Sequence, residues 1–129
     1  MRSLVAVAMA CGVSASNAGA LQECATGSRE PARVLACLHQ AREAATEEML
    51  DQFLGAQQAL TAPGAGQSTH GDAALKQSQR AFERYVLEHC HGVQAVVARG
   101  EAAGLACETD LLRQRASTLA ALELVTNRL

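Results

Sequence analysis

The sequence contains very few aromatic residues: no tryptophan, two phenylalanines and one tyrosine among 129 residues. A hydrophobic core therefore has to be built mainly from Ala, Leu, Val and Met, which favours helices that approach one another closely. Such a core buries less apolar area per residue than an aromatic one. Covalent crosslinks would then supply a large part of the stability of a domain of this size.

Long apolar segments and a strong net charge are also lacking. No segment reaches the roughly 20 apolar residues that span a bilayer, so the sequence predicts no transmembrane helix. The formal net charge is −2, and this mild acidity argues against a nucleic-acid partner. No alternating apolar and polar pattern typical of strands occurs, which predicts an all-α protein.

The first 20 residues have the pattern of an export signal. Arg2 is their only charged residue, and an apolar run follows from Leu4 to Val13. The small-x-small triplet Ala18-Gly19-Ala20 provides a cleavage site. We expect cleavage after Ala20, a single domain over residues 21–129, and a periplasmic or secreted location.

A lipoprotein acylated at Cys11 is the alternative, because Ala10 supplies the small residue that precedes such a cysteine. Ala8 stands where lipoprotein signals usually carry Leu, and the apolar stretch would be very short. These two features favour the soluble form.

Removal of the signal leaves four of the five cysteines: Cys24, Cys37, Cys90 and Cys107. An even number of cysteines in an oxidising compartment predicts two disulfides. Three pairings are open, and the simplest joins sequence neighbours, Cys24 to Cys37 and Cys90 to Cys107. Antiparallel helices on either side of a connection near Gly100 would bring the second pair together.

The spacing of the apolar residues predicts three helices. The first runs from Pro31 to Leu60, and the second begins near Asp72, after a connection rich in glycine. Gly100 and Gly104 bracket a second connection, and the third helix starts at about Leu105. The expected fold is an antiparallel helical hairpin or three-helix bundle crosslinked by two disulfides.

The second helix carries a stripe of apolar residues at helical spacing, which should face the core. Its members are Leu75, Phe82, Val86, Val93 and Val97, with Gln79 on the same stripe. Leu87 lies about 140° around the helix from Phe82. We expect Leu87 to pack against the third helix; otherwise it belongs to an exposed binding patch.

Two helical motifs are the most specific feature of the chain. They are Gln79-Arg80-Ala81-Phe82-x-x-Tyr85-x4-Cys90 and Cys107-x3-Leu111-x3-Arg115-x3-Leu119. The first half of the chain adds Cys24, Cys37 and the run Ala45-x-x-Glu48-Met49-x-x-x-Phe53. Together these residues resemble the LprI-type lysozyme-inhibitor domain over residues 24 to about 122.

The resemblance implies an exported protein that binds a lysozyme, blocks its substrate cleft and so protects the cell wall. No enzymatic activity and no cofactor are expected, because the Glu and His residues are too scattered for a recognisable catalytic site and the cysteines are expected to be bridged. The motif residues carried over from the family pattern are Gln79, Phe82, Tyr85 and Arg115. For Arg115 two environments are open, an exposed side chain or one that lies along the bundle and bonds to helix-end carbonyls.

The chain departs from the family pattern at four positions. Thr46 and Leu50 stand where Asp and Asn are usual. Val86 and Leu87 stand where the family commonly has Arg and Asp. The departures concern a polar site of the family more than its fold.

An acidic cluster on the first helix is a candidate surface for a protein partner. It consists of Glu43, Glu47, Glu48 and Asp51. Like charges four residues apart repel one another on a helix. A solvated face explains the cluster, and so does contact with a basic partner such as a lysozyme, where electrostatic complementarity would speed association.

Metal and catalytic sites find little support in the sequence. His39, His89 and His91 lie near cysteines, but no CxxC or CxxCH motif is present, and exported cysteines are usually oxidised. No Ser/His/Asp, Cys/His or paired-carboxylate arrangement is recognisable. The alternatives to lysozyme inhibition are a periplasmic structural or adaptor module that binds an envelope protein, and a metal-binding helical domain.

Overall fold

The computed structural model describes residues 19–63, 69–98 and 100–128, and within these ranges the protein is almost entirely helical, without strands. The elements are α1 (Ala20–Gly27), α2 (Pro31–Thr61), α3 (Thr69–Val86), a π-helical segment (Leu87–Gln94), α4 (Ala95–Ala98) and α5 (Glu101–Arg128). The predicted all-α class is confirmed. Within the described ranges, no helix combines the length and apolar character needed to cross a membrane. The expected signal, including Arg2, Cys11 and the segment up to Ala18, lies outside them.

Helix α2 forms because its sequence is rich in strong helix formers and its only proline stands at the first position. Pro31 costs little there, since the amide proton it lacks would have no partner within the helix. Before it, Glu30 has extended backbone angles and forms an ion pair of 3.0 Å with Arg33 in the first turn. The predicted span of this helix, 31–60, is therefore confirmed to within one residue.

The three long helices form an up-down-up bundle in which α2 and α5 run parallel. His39 lies 3.5 Å from Glu101 near the start of both helices, and the Glu123 carboxylate lies against Gly55 further along. Helix α3 runs the opposite way, since it begins beside the end of α2. The predicted three-helix bundle is confirmed, and the short helix α1 is added to it.

The start of α3 is fastened to α2 through Asp72. Gln57 Nε2 donates a hydrogen bond of 2.9 Å to Asp72 Oδ1, and Lys76 Nζ lies 2.8 Å from Asp72 Oδ2. The bonds from Lys76 and Gln57 lower the pKa of the Asp72 carboxyl. These contacts hold the start of α3 against the end of α2.

The core consists of two clusters of mostly small aliphatic side chains. The larger one joins α2, α3 and α5 and contains Ala45, Met49, Ala56, Leu75, Leu112, Ala116 and Leu119, with Phe53, Leu60 and Phe82 packed against it. The smaller one joins α1, α2 and α5 and contains Ala20, Cys24, Leu38, Leu105 and Ala106. Because alanine is frequent in both, α2 and α5 approach closely and form the main interface of the bundle.

Two disulfides crosslink the end of the bundle where α2 and α5 begin, with the pairing expected from the sequence. Cys24–Cys37 joins α1 to α2, with Cα atoms 5.6 Å apart. Cys90–Cys107 joins the π-helical segment to α5, with Cα atoms 5.4 Å apart. Both separations are typical of disulfides.

The predicted connection between Gly100 and Gly104 is wrong, because α5 already begins at Glu101 and Gly104 is buried inside it. A Cβ atom at position 104 would lie 3.3 Å from the carbonyl oxygen of Cys90. Gly104 therefore does not end a helix. It allows the backbone around Cys90 to approach α5 closely, because glycine has no side chain.

The predicted apolar stripe of the second helix also fails beyond Val86. Leu75 and Val86 are buried, whereas Val93 is 58% exposed and Val97 75% exposed. The physical reason is the π-helical segment, which holds more residues per turn than an α-helix and rotates all later side chains away from their α-helical positions.

Candidate functional site

The two helical motifs meet at Gln79, a polar residue that is only 7% exposed. Its Oε1 accepts a hydrogen bond of 3.1 Å from Arg115 Nε. Its Nε2 donates to Glu83 Oε1 at 3.2 Å and contacts Met49 Sδ at 3.3 Å. All of the amide's polar atoms thus have partners, as a buried amide requires.

Arg115 completes this contact from α5. Its second terminal nitrogen donates a hydrogen bond of 3.1 Å to Ser78 Oγ, and its Cζ lies 5.5 Å from the centre of the Phe82 ring. Burial lowers the pKa of the guanidinium, which nevertheless stays protonated. We call Gln79, Phe82 and Arg115 the polar junction; Arg115 is paired there with side chains rather than with helix-end carbonyls.

Tyr85, the fourth motif residue, lies outside the polar junction. Its side chain is half exposed and stacks on the His89 imidazole, with ring centres 5.0 Å apart and an angle of 9° between the planes. Tyr85 is therefore available on the outer surface of α3, where its ring can contact another molecule.

The four carboxylates of the acidic cluster all lie exposed on α2. Glu43, Glu47 and Asp51 lie opposite the buried Ala45 and Met49, and Glu48 lies at the edge of this face, where it lines a cavity with Gly19. In the part of the chain that the structure describes, none of the four takes part in an ion pair. We call Glu43, Glu47, Glu48 and Asp51 the acidic face.

Beside the acidic face, an open groove of about 490 Å³ runs between α2 and the junction of α3 with the π-helical segment. Apolar lining residues include Met49, Phe82, Val86 and Leu112. Leu50, 47% exposed, and Leu87, 64% exposed, lie on the two sides. We call this the apolar groove.

All four departures from the family pattern line the apolar groove: Thr46 and Leu50 from α2, and Val86 and Leu87 from the other side. The expectation that Leu87 packs against the third helix is wrong, because its side chain is exposed. The alternative, an exposed apolar patch, describes its position. Four residues from two distant parts of the sequence thus make one surface less polar than the family pattern would.

The histidines near the cysteines do not form a metal centre with them. His91 Nε2 lies 2.8 Å from Glu108 Oε2, His89 stacks on Tyr85, and the four cysteines that the structure describes are all in disulfides. Among the residues placed by the structure, no group of three or more His, Cys, Asp or Glu side chains could hold a metal ion.

Among the residues that the structure describes, these features define a class: a small helical domain with two disulfides, a fully bonded internal polar contact and an open surface groove. The family model described as "Lysozyme inhibitor LprI" matches residues 22–119, and the chain belongs to this family. Comparison with curated proteins and with solved structures gave no significant match. Together with the disulfides, the family indicates an extracytoplasmic protein.

Proposed function

We propose that the protein is exported, binds a lysozyme directly and inhibits it by covering the substrate cleft. The lysozyme-inhibitor role comes from the family, whose model spans the bundle and both disulfides. In this account the domain is not an enzyme: it works by occupying a surface, and it needs no cofactor. The polar junction holds α3 against α5 and so keeps the binding surface in shape.

The observation that carries the proposal beyond the family is the acidic face. Glu43, Glu47 and Asp51 follow one another at intervals of four residues, so their mutual repulsion costs a few tenths of a kcal/mol for each pair. A basic partner would relieve this repulsion on binding. Lysozymes are often strongly basic, and opposite charges accelerate the encounter of two proteins.

Neutralising part of the acidic face should slow the association with lysozyme. For the double variant Glu43→Gln/Glu47→Gln we expect an association rate constant roughly three- to tenfold lower at low ionic strength, and a weaker dependence on salt. The dissociation rate should change little. Thermal stability should be equal or slightly higher, because the repulsive pairs Glu43/Glu47 and Glu47/Asp51 are both removed. Surface plasmon resonance at several salt concentrations measures these rates.

The matched control is Glu30→Gln/Glu101→Gln, which removes the same charge from the N-cap of α2 and the first turn of α5, away from the acidic face. We expect a smaller change in association from the control. Equal effects of both double variants would show that only net charge matters. Failure of the unaltered domain to bind any lysozyme would favour the adaptor alternative, in which the exposed Val93, Val96 and Val97 contact an envelope protein.

A further inference from the structure

The apolar groove has the features of a site for one projecting side chain. Its volume of about 490 Å³ lies within the range of pockets that enclose small groups. Met49, Phe82, Val86 and Leu112 contribute apolar surface, while Leu50 and Leu87 extend the lining toward solvent. Two large exposed apolar side chains on opposite sides of one groove are a common mark of a binding site.

The charges around the groove indicate what kind of partner surface it fits. Glu83 and Glu108 line it, and Glu43 and Glu47 line a smaller cavity that shares Glu108 with it. Arg42 is the cationic side chain common to both cavities. Carboxylates therefore predominate, and their field favours a basic surface.

We infer that the apolar groove receives an apolar side chain that projects from a basic surface of the partner, with the partner's lysines or arginines meeting the surrounding carboxylates. The inference rests on the proposed function and adds the contact that holds the complex after encounter. Thr46, Leu50, Val86 and Leu87, the residues that depart from the family pattern, make this groove apolar. They therefore set which partner side chain this chain accepts.

The double variant Leu50→Asn/Leu87→Asn tests the inference without changing charge. Both side chains are exposed, so the variant should fold, which circular dichroism checks. With a lysozyme that the unaltered domain inhibits, we expect the dissociation constant to rise at least tenfold, mainly through faster dissociation. The matched control Leu54→Asn/Leu124→Asn replaces two exposed leucines that do not line the groove, and its affinity should stay within twofold.

Three results would overturn the inference. Equal affinity of the Leu50/Leu87 variant and the unaltered domain would exclude the groove while leaving lysozyme inhibition intact. Equal weakening by the control would show a general effect of apolar surface. Self-association of the unaltered domain in analytical ultracentrifugation, lost only in the groove variant, would make a second copy the occupant. If the unaltered domain binds no lysozyme, the proposed function and this inference fail together.

A separate observation concerns the start of the mature chain. Ala20 is 0% exposed and packs in the smaller core cluster with Cys24 and Leu38. Its backbone N–H donates a hydrogen bond of 2.9 Å to Asp110 Oδ1 on α5. Cleavage after Ala20 would therefore remove a core residue and the bond that fastens the start of α1.

The preceding residue also fits against α5. The carbonyl oxygen of Gly19 accepts a hydrogen bond of 3.1 Å from the Glu23 backbone N–H, and a Cβ atom at position 19 would lie 3.0 Å from Asp110 Oδ2. Glu23, Glu48 and Asp110 line the cavity at this point, with Arg113 held by Glu23 at 2.9 Å. Carboxylates thus surround Gly19 with net negative charge.

We propose that the export signal is cleaved after Ala18. The sequence Ser16-Asn17-Ala18 is also a small-x-small triplet. A signal peptidase would add water across the Ala18–Gly19 peptide bond, leaving a carboxylate on Ala18 and an α-amino group on Gly19. Once protonated, this amino group lies among the carboxylates, and Ala20 stays in the core.

Intact-mass measurement and N-terminal sequencing of the exported full-length product decide between the two sites. We expect a mature chain that begins at Gly19. Ser16 is the third residue before the Ala18–Gly19 bond, where a signal peptidase requires a small side chain. The bulky substitution Ser16→Leu should therefore leave most of the product unprocessed. The control Asn17→Leu changes the middle residue of the small-x-small triplet, where any residue type is allowed, and this variant should be processed normally.

The contrary results are equally specific. A chain that begins at Leu21, with normal processing of Ser16→Leu, would restore the site predicted from Ala18-Gly19-Ala20. A diacylglycerol-modified Cys11 would show the lipoprotein alternative, and an unprocessed Met1 would exclude the signal altogether.

Discussion

Replacing Cys90 and Cys107 together by alanine lowers the free energy of unfolding by about 3 kcal/mol, the largest effect we expect from any substitution. The loop closed by this disulfide spans 17 residues, and closing a loop of about 15 residues restricts the unfolded chain by about 3 kcal/mol in the entropy model. Cys90 is also fully buried. Urea unfolding of the oxidised proteins, followed by circular dichroism, measures the difference.

The variant Cys24→Ala/Cys37→Ala is the matched control, because its loop of 13 residues predicts a similar loss of stability. The two variants should differ in binding. Loss of Cys90–Cys107 frees the segment that carries Leu87 and His91 beside the apolar groove, whereas loss of Cys24–Cys37 affects α1. A change below about 1 kcal/mol for either variant would mean that its disulfide is not structural.

The substitution Arg115→Ala should destabilise the domain by about 2 to 3 kcal/mol. It leaves the buried Gln79 Oε1 without its donor, and an unsatisfied buried polar group costs about 1 to 3 kcal/mol. It also removes the contact between the guanidinium and the Phe82 ring, worth about 0.5 to 1 kcal/mol. Chemical denaturation gives the free-energy change.

Arg113→Ala is the comparison, since Arg113 lies on the same helix as Arg115. Its pair with Glu23 of α1 is more exposed than the contact of Arg115 with Gln79, and exposed pairs contribute about 0.2 to 1 kcal/mol. The double variant Gln79→Leu/Arg115→Leu should lose less than the sum of its single variants, because no polar group is then left alone. Equal losses for Arg115→Ala and Arg113→Ala would contradict the structural role of the polar junction.

Much of the fold could be predicted because local patterns determine it. The long α2 follows from helix-forming residues without an internal proline, and the disulfide pairing follows from cysteines on either side of short connections. The parallel course of α2 and α5 follows from the up-down-up order of three long helices along the chain. The short helix α1 was not predicted, since its stability comes from Cys24–Cys37 and from Asp110, 90 residues away from Ala20.

The second half of the predicted second helix, which follows α3, could not be predicted from periodicity. The π-helical segment has no simple sequence signature, and it changes the direction of Val93 and Val97. Gly104 was interpreted as a breaker, although its role is to admit the Cys90 backbone. A glycine can either end a helix or allow another backbone to approach it closely. Which of the two applies depends on the neighbouring helix, which the local sequence does not show.

The candidate site was visible as separate residues but not as an assembly. Gln79 and Arg115 were both recognised as motif residues, yet nothing in the sequence showed that these two side chains, 36 positions apart, bond to each other. Likewise, Thr46 and Leu50 were known departures from the family pattern, as were Val86 and Leu87. That they line one groove depends on the packing of two helices, which the periodicity of either helix alone does not determine.

The most direct measurement is lysis of a cell-wall suspension by a panel of lysozyme types, with and without the purified oxidised domain. The account predicts that the domain slows lysis by at least one type in a dose-dependent manner, and that reduction of its disulfides weakens the inhibition. Unchanged lysis by every type at a large molar excess of folded, oxidised domain would contradict it.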